Sequence, residues 1–179
     1  MTKEECDRLL SMPKIHTRTG LRNAAIMRIL IEGGLKISEL VGKETVRDGF
    51  SRPEEQGGLQ IGDILWDENA IVARRHGERR VPLCDETIAL LKKWIYVRPQ
   101  SDSLLVFTTL QGNKLKNRYV REFLARYGRE AGVAVSVTPS VLRNSFARRV
   151  RECGGGVELV RARLGLSSTT KPPSLEDRK

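Results

Sequence analysis

Histidine and cysteine are scarce in this sequence, and their positions argue against metal and disulfide chemistry. The 179 residues include two histidines, His16 and His76, and three cysteines, Cys6, Cys84 and Cys153. None of them has the CxxC or short His–His spacing of a zinc site, and an odd number of distant cysteines is not typical of a disulfide framework. We therefore expect reduced thiols, no bound metal and no cofactor.

Long apolar runs are also lacking. No stretch approaches the length that crosses a membrane, and the first residues, MTKEECDRLL, are too charged for a secretory signal. A hydrophobic content of 39% with 30% charged residues is typical of a folded globular chain of this length. We expect one domain in the cytoplasm, without a membrane partner.

Positive charge is abundant by contrast. The chain has 32 Lys and Arg against 22 Asp and Glu, a net charge of +10. Six arginines lie between positions 143 and 163, against two acids: Arg143, Arg148, Arg149, Arg151, Arg161 and Arg163 against Glu152 and Glu158. This cluster favours a face that binds a polyanion, with nucleic acid as the first candidate. Charge alone leaves a merely basic soluble protein as an alternative.

Hydrophobic periodicity predicts mostly helices around one β-rich patch. Apolar residues recur at helical spacing in LRNAAIMRILIEGG, in LKNRYVREFLARYGREAG and after Pro139. The second of these helices is expected to bury Val120, Phe123, Leu124 and Tyr127. Asp85 is a candidate cap for a further helix with Ile88, Leu91 and Ile95 on its buried face. The segments LQIGDILW, NAIVARR and ERRVPL are short and β-branched, which predicts a three-stranded antiparallel sheet. Residues 42–58 have no sustained period and are predicted as a loop insertion. The fold class is therefore α+β, mainly α.

Four short segments then indicate a family. GGLKISEL, IVARRHGERRVPL, TPSVLRNSFA and LGLSSTT resemble, in the same order, the TGLRxSEL, KERxVPL, TPHxLRH(S/T)FA and LGHSS…TT boxes of the tyrosine recombinases, the phage integrase family. The resemblance implies a catalytic domain over residues 1–165, interrupted by the 42–58 insertion. Because the last residues are polar and include prolines, residues 166–179 are expected to form a flexible tail. The resemblance also implies double-stranded DNA as the partner, and we expect no amino-terminal core-binding domain before the catalytic one.

The resemblance also implies a mechanism. In the family, a tyrosine attacks the scissile phosphodiester, two arginines hold its non-bridging oxygens, a lysine on the hairpin protonates the leaving oxygen, and histidines assist. Arginine suits this task because its planar fork donates two hydrogen bonds to one phosphate. The attacking phenol needs a base, and the leaving oxygen needs an acid.

Two of the family's three charged positions in the first and third boxes keep the residue type. Lys36 stands where the first arginine is usual, so the charge is kept without the bidentate fork. Glu39 matches the family's acid, although a solvated or helix-capping glutamate paired with a nearby cation is an open alternative. Arg143 matches the second arginine in identity.

The hairpin lysine position falls at Arg74, counting back without gaps from Arg79, and Arg75 is the alternative if the turn differs by one residue. Arginine stays protonated far above neutral pH, so it can bind phosphate but is a poor proton donor. Two ordinary surface arginines on a hairpin are an equally open interpretation.

The family's imidazole positions are changed as well. Ser140 stands in place of a histidine and is at most a helix-capping residue, Asn144 follows Arg143 where histidine or lysine is usual, and Leu166 stands in place of histidine or tryptophan. None of these side chains transfers protons near neutral pH. We expect five cations to contact DNA: Lys36, Arg74, Arg75, Arg143 and Arg148.

The nucleophile is missing at the spacing that the family uses. That spacing reaches Pro173 or Leu175, and the last tyrosine of the chain is Tyr127, with Tyr96 and Tyr119 further upstream. All three tyrosines are expected to pack or to lie on the surface. A catalytic unit that has lost its nucleophile has lost the covalent route.

Three functions are consistent with these losses. The first is a DNA-binding protein of recombinase fold that does not cut, descended from DNA integration enzymes. The second is a recombinase subunit that is active only with a partner that supplies the tyrosine in trans. The third is a protein-interaction module or mobile-element remnant whose C-terminal tail docks on another protomer or on a partner recombinase. We predict a degenerate recombinase, leaning away from enzyme activity.

Overall fold

The computed structural model describes residues 1–42, 57–74 and 77–166. Within these ranges the helices are α1 (Lys3–Ser11), α2 (Arg18–Gly33), α3 (Ile37–Leu40), α4 (Asp85–Val97), α5 (Asn117–Glu130), α6 (Pro139–Glu152) and α7 (Val157–Leu164). The strands are β1 (Ile64–Leu65), β2 (Ala70–Ala73) and β3 (Arg79–Pro82). The predicted loop insertion at 42–58 and the predicted tail at 166–179 lie almost entirely outside the described residues.

The three strands form one antiparallel sheet in the order β1-β2-β3. Ile71 pairs with Ile64 on one side and with Val81 on the other. All four residues of β2 are buried, so the central strand is covered on both faces. The predicted fold class, mainly α with a small three-stranded antiparallel sheet, is confirmed.

Helix α2 runs through the centre of the core. Twelve of its 16 residues are buried, as expected of a helix that is packed on nearly every side. The Thr17 side chain accepts a hydrogen bond from the Gly20 N–H at its start, and Gly34 closes it in the left-handed conformation, with φ of 57°. The helix therefore ends beside the site described below.

Helices α4 and α5 pack on this core through apolar stripes. On α5 the predicted residues Val120, Phe123, Leu124 and Tyr127 are all buried. On α4, Ile88 and Leu91 are buried as predicted, but Trp94 takes the third core position that the pattern gave to Ile95. Trp94 fits there because its indole N–H donates to the Val106 carbonyl at 2.8 Å.

The start of α4 also differs from the prediction. Cys84 occupies the N-cap position, and Asp85 is the first helical residue. The Asp85 carboxylate accepts a hydrogen bond from the Asn69 side chain at 2.7 Å. It is therefore held by the turn between β1 and β2 rather than by its own helix.

A second, smaller apolar cluster joins α6 to α7. Ala147, Val160 and Leu164 are buried there, and Phe146, Val150 and Leu166 pack against them. This contact fixes the carboxyl end of α7 next to α6. In the part of the chain that the structure describes, no helix is long and apolar enough to cross a membrane.

Candidate phosphate-binding cleft

Helices α3, α5 and α6 border a cleft of about 790 Å³. It is lined by Lys36, Ile37, Ser38, Arg121, Ala125, Thr138, Pro139, Ser140, Arg143 and Asn144. Three of these residues are cations, contributed by three different helices or their caps. Among the described residues, the lining includes no acid, no histidine and no tyrosine.

Arg143 is held in this cleft by the start of α6. The Thr138 side chain caps the helix by accepting from the Val141 N–H at 3.2 Å, and Pro139 occupies the first helical turn. Leu142 is buried in the core on the adjacent face. The helix therefore presents Arg143 towards α3 with only a tenth of its side chain exposed.

The partners of Arg143 are mainly backbone carbonyls. Its Nη2 donates to the Leu164 carbonyl at 2.7 Å, and its Nη1 donates to the Gly34 carbonyl. These bonds occupy two of the five N–H groups of the guanidinium without cancelling its charge. Burial lowers the pKa of Arg143, the Glu39 carboxylate opposes that shift, and the charge of Arg79 adds to it. The group stays protonated at neutral pH because arginine titrates so far above it.

Gly34 is required at this point of the cleft for two reasons. Its φ of 57° is a conformation that favours glycine, and a Cβ there would lie 2.3 Å from the Phe146 ring. A larger residue would move the Gly34 carbonyl that accepts from Arg143.

Lys36 and Glu39 are positioned by the short helix α3. Lys36 is its N-cap residue, and its backbone N–H donates to Glu39 Oε2 at 2.7 Å. Glu39 thus caps this helix and pairs with a nearby cation, Arg79, but it is not solvated. Its side chain is almost completely buried, with Arg79 Nη1 at 2.6 Å from Oε1 and Arg143 Nη1 at 3.8 Å from Oε2.

Arg74 lies apart from this group. Its Nε donates to Asp63 Oδ1 at 2.6 Å, its Nη1 donates to Glu78 Oε2 at 2.9 Å, and 61% of the side chain is exposed. The hydrogen bond to Asp63 raises the pKa of Arg74. Arg74 does not line the cleft in the described structure. Arg75, the alternative hairpin residue, lies outside the described residues.

The exposed face of α6 carries the other predicted positions. Ser140, Asn144 and Arg148 recur every four residues, so they share one side of the helix. Ser140 and Asn144 line the cleft, whereas Arg148 lies one turn further on and pairs with Glu152 at 2.7 Å. Leu166 packs on the cluster between α6 and α7 and is not part of the cleft lining.

Arg121 is a cleft residue that the sequence interpretation missed. It lies on α5, which carries three other arginines: Arg118, Arg126 and Arg129. A signal was present, because Arg121 lies three and four residues from the buried Leu124 and Asn117, at the edge of the core stripe. Arg121 is exposed there, at the border of the cleft.

The three tyrosines of the chain lie away from the described cleft lining. Tyr96 on α4 is 91% exposed, and Tyr127 on α5 is buried. The Tyr119 hydroxyl accepts hydrogen bonds from Arg22 Nη2 at 2.8 Å and from Asn23 Nδ2 at 3.3 Å. None of the three lines the cleft as the structure describes it. The described ranges also contain no group of three or more His, Cys, Asp or Glu that could hold a metal ion.

Comparison with solved structures defines the class of fold. The XerA recombinase structure superposes with a TM-score of 0.77 at 23% identity, covering 94% of this chain and 54% of that one. The Tn1549 transposon integrase in complex with transposon right end DNA gives a TM-score of 0.71 at 16% identity, covering 94% and 58%. This is the catalytic-domain fold that tyrosine recombinases share.

Comparison of sequences gives the family. The pattern of the phage integrase family matches residues 43–171, so this chain belongs to that family. The chain is 28% identical to tyrosine recombinase XerC of Yersinia pestis over 171 residues, which cover 93% of this chain and 51% of that protein. It is 29% identical to tyrosine recombinase XerD of Oceanobacillus iheyensis over 175 residues, covering 92% and 52%. The chain thus spans about half the length of the curated relatives it matches.

Proposed function

We propose that this chain binds duplex DNA by seating a backbone phosphate in the cleft, and that it does not cleave the strand by itself. The observation that carries the proposal is the convergence of Lys36, Arg121 and Arg143 on a cleft whose described lining has no acid. A phosphodiester is the anion that fits such a lining in a protein of this charge and family.

Each cation contributes differently to phosphate binding. Arg143 and Arg121 can donate two hydrogen bonds from one fork, whereas Lys36 acts as a point charge. Ser140 and Asn144 add neutral donors at the same cleft. The site therefore favours binding a phosphate over stabilising a reaction at it.

The same lining explains why no cleavage is expected. Transfer of a phosphoryl group needs a nucleophile within reach of the phosphorus and groups that move protons at the two oxygens. In the described cleft those roles would fall to serine, threonine, asparagine, lysine and arginine side chains. None of these residues is an efficient base or acid near neutral pH without further activation.

Relatives with bound DNA support the choice of ligand. Among similar structures, XerH site-specific recombinase is bound to its difH substrate in a pre-cleavage complex, and it superposes with a TM-score of 0.72. The family and the basic cleft thus both support duplex DNA as the proposed partner of this chain.

The decisive experiment combines a salt series with a test for covalent attachment. Affinity for a fluorescent duplex is measured by anisotropy between low and high salt, and a nicked duplex is incubated with the same protein and run on a denaturing gel. Three phosphate contacts predict a slope of log affinity against log salt of about −3. We expect this binding without an adduct. A covalent adduct from this chain alone, or affinity that salt does not change, would contradict the proposal.

A second candidate is a recombinase subunit that works with a tyrosine supplied in trans. The observation that favours it is that Lys36 and Arg143, at the family's two arginine positions, lie in one cleft, since both would still stabilise a phosphate under attack. The same nicked duplex separates the two candidates when a relative that carries the tyrosine is added. Cleavage that needs both proteins, and that disappears when the relative's tyrosine is changed to phenylalanine, would favour this function.

Association with another protomer is the third proposal. Of residues 166–179, which would form the docking tail, all but Leu166 lie outside the described part of the chain. Size-exclusion chromatography of the chain with and without residues 166–179 tests it. A loss of association on truncation is expected if the tail docks, and identical monomers would contradict it.

A further inference from the structure

Among the described residues, Glu39 is the acid that forms an ion pair with the cleft cation Arg143, but its carboxylate is hydrogen-bonded mainly to another arginine, Arg79. Arg79 Nη1 lies 2.6 Å from Glu39 Oε1, and Arg79 Nη2 lies 3.0 Å from Glu39 Oε2. This two-point contact is the strongest geometry for a guanidinium and a carboxylate. Both side chains are buried, with 10% of Arg79 and 1% of Glu39 exposed.

Arg143 is left out of that pair. Its Nη1 is 3.8 Å from Glu39 Oε2, which is beyond hydrogen-bonding distance, and its terminal nitrogens donate to backbone carbonyls instead. A buried carboxylate with no other partner at this distance would largely cancel the charge of Arg143, because attraction between charges is strong where water is excluded.

We propose that Arg79 is a positioning residue that keeps the cleft positive by neutralising Glu39. With Arg79 in place, the buried group of Arg79, Glu39 and Arg143 carries a net charge of one, and that charge faces the cleft through Arg143. The inference rests on the proposed binding of DNA phosphate at this site. It assigns a role to a hairpin arginine that does not itself line the cleft.

Arg79 also connects the cleft to the end of α7. Its Nε donates to the Arg163 carbonyl at 3.1 Å, next to the Leu164 carbonyl that accepts from Arg143. Both arginines therefore hold the same helix end, which fixes the direction in which each fork points. The neighbouring Arg80 does neither: it is 70% exposed and pairs with Glu68 on the surface.

The test uses charge rescue in the full chain. Affinity for a duplex is measured across a salt series for the wild type, Arg79→Gln, Glu39→Gln and the double variant, with Arg80→Gln as the matched control from the same strand. Formal charge at the buried group is one in the wild type and in the double variant, zero in Arg79→Gln and two in Glu39→Gln.

We expect Arg79→Gln to lose about tenfold in affinity and about 0.9 in salt slope. The double variant should return to within about threefold of the wild type, and Glu39→Gln should bind at least as tightly as the wild type. A residue that only supports the fold would give the opposite pattern, because removing both partners does not restore the lost contacts.

Folding is followed by circular dichroism. If Arg79→Gln unfolds because it leaves Glu39 charged and buried, Glu39→Gln and the double variant still decide the matter, since neither buries an unpaired carboxylate. A double variant that is folded but binds tenfold more weakly than the wild type would overturn the inference. A wild type that does not bind DNA would instead overturn the proposed function.

Discussion

Two regions of this protein hold arginines at positions that the family uses, and their surroundings differ in one decisive respect. In the cleft, Arg143 is mostly buried and donates to the backbone carbonyls of Gly34 and Leu164. On the hairpin, Arg74 is mostly exposed and donates to the carboxylates of Asp63 and Glu78. Carbonyls hold an arginine in place without removing its charge, and the one carboxylate near Arg143, that of Glu39 at 3.8 Å, is itself paired with Arg79. The two carboxylates that Arg74 contacts offset its charge directly.

This comparison separates cations that can bind DNA from cations that are already neutralised. Arg148 resembles Arg74 because Glu152 is its ion-pair partner at 2.7 Å. Arg143 and Arg121 line a cleft without an acid in its described lining. The number of Lys and Arg residues in the chain is therefore larger than the number that remain to bind a phosphate, because some already pair with carboxylates.

The largest effect is expected at Arg143. Arg143→Ala should weaken duplex binding by about a hundredfold, because it removes a buried charged donor from the cleft. Arg143→Lys should keep most of the salt slope while losing part of the affinity, since the charge stays and the fork is lost. Anisotropy titrations measure both, and thermal unfolding shows whether each variant folds. A folded alanine variant with wild-type affinity would show that the cleft does not bind phosphate.

An intermediate effect is expected at Arg121. Arg121→Ala should lose about tenfold in affinity and about 0.9 in salt slope, because it removes one phosphate contact. Arg118 on the same helix is the matched control, since it pairs with Glu122 at 2.7 Å and does not line the cleft. Equal losses in the two variants would mean that α5 contributes only general positive charge.

The smallest effect is expected on the hairpin. Arg74→Ala should change affinity by less than about threefold, because Asp63 and Glu78 already offset its charge. Arg80→Ala, which removes another surface-paired arginine of the hairpin, should behave alike. A loss at Arg74 as large as at Arg143 would reverse the contrast between the two regions and place the hairpin on the DNA.

Much of the fold was predictable from local patterns. The α5 stripe, the three strands and the Gly34 helix end follow from side-chain periodicity and from the backbone preference of glycine. The errors are one-residue choices on α4, where Trp94 and Cys84 take positions that the pattern gave to Ile95 and Asp85. In both cases a hydrogen bond to a distant residue decided the position: Trp94 donates to the Val106 carbonyl, and Asp85 accepts from Asn69. Hydrophobic periodicity carries no information about such contacts.

The candidate site was predictable to a lesser extent. The resemblance named Lys36, Ser140, Arg143 and Asn144, and the structure brings these four to one cleft. It did not single out Arg121. The roles of all five residues in DNA binding stay predictions until the variants above are measured.

By itself, the amino-acid sequence determined the positive charge, the helical stripes, the four family boxes and the lack of a tyrosine after Tyr127. Pairs four residues apart, such as Arg148 with Glu152, follow from the sequence, but the tertiary structure decided which buried cations are neutralised. The reason is that the partners are distant in the chain: Glu39 and Arg79 are 40 residues apart, and Arg143 lies 109 residues from Gly34. Composition fixes the net charge of the chain, but whether a buried charge is cancelled depends on its distance to the opposite charge, which is set by packing.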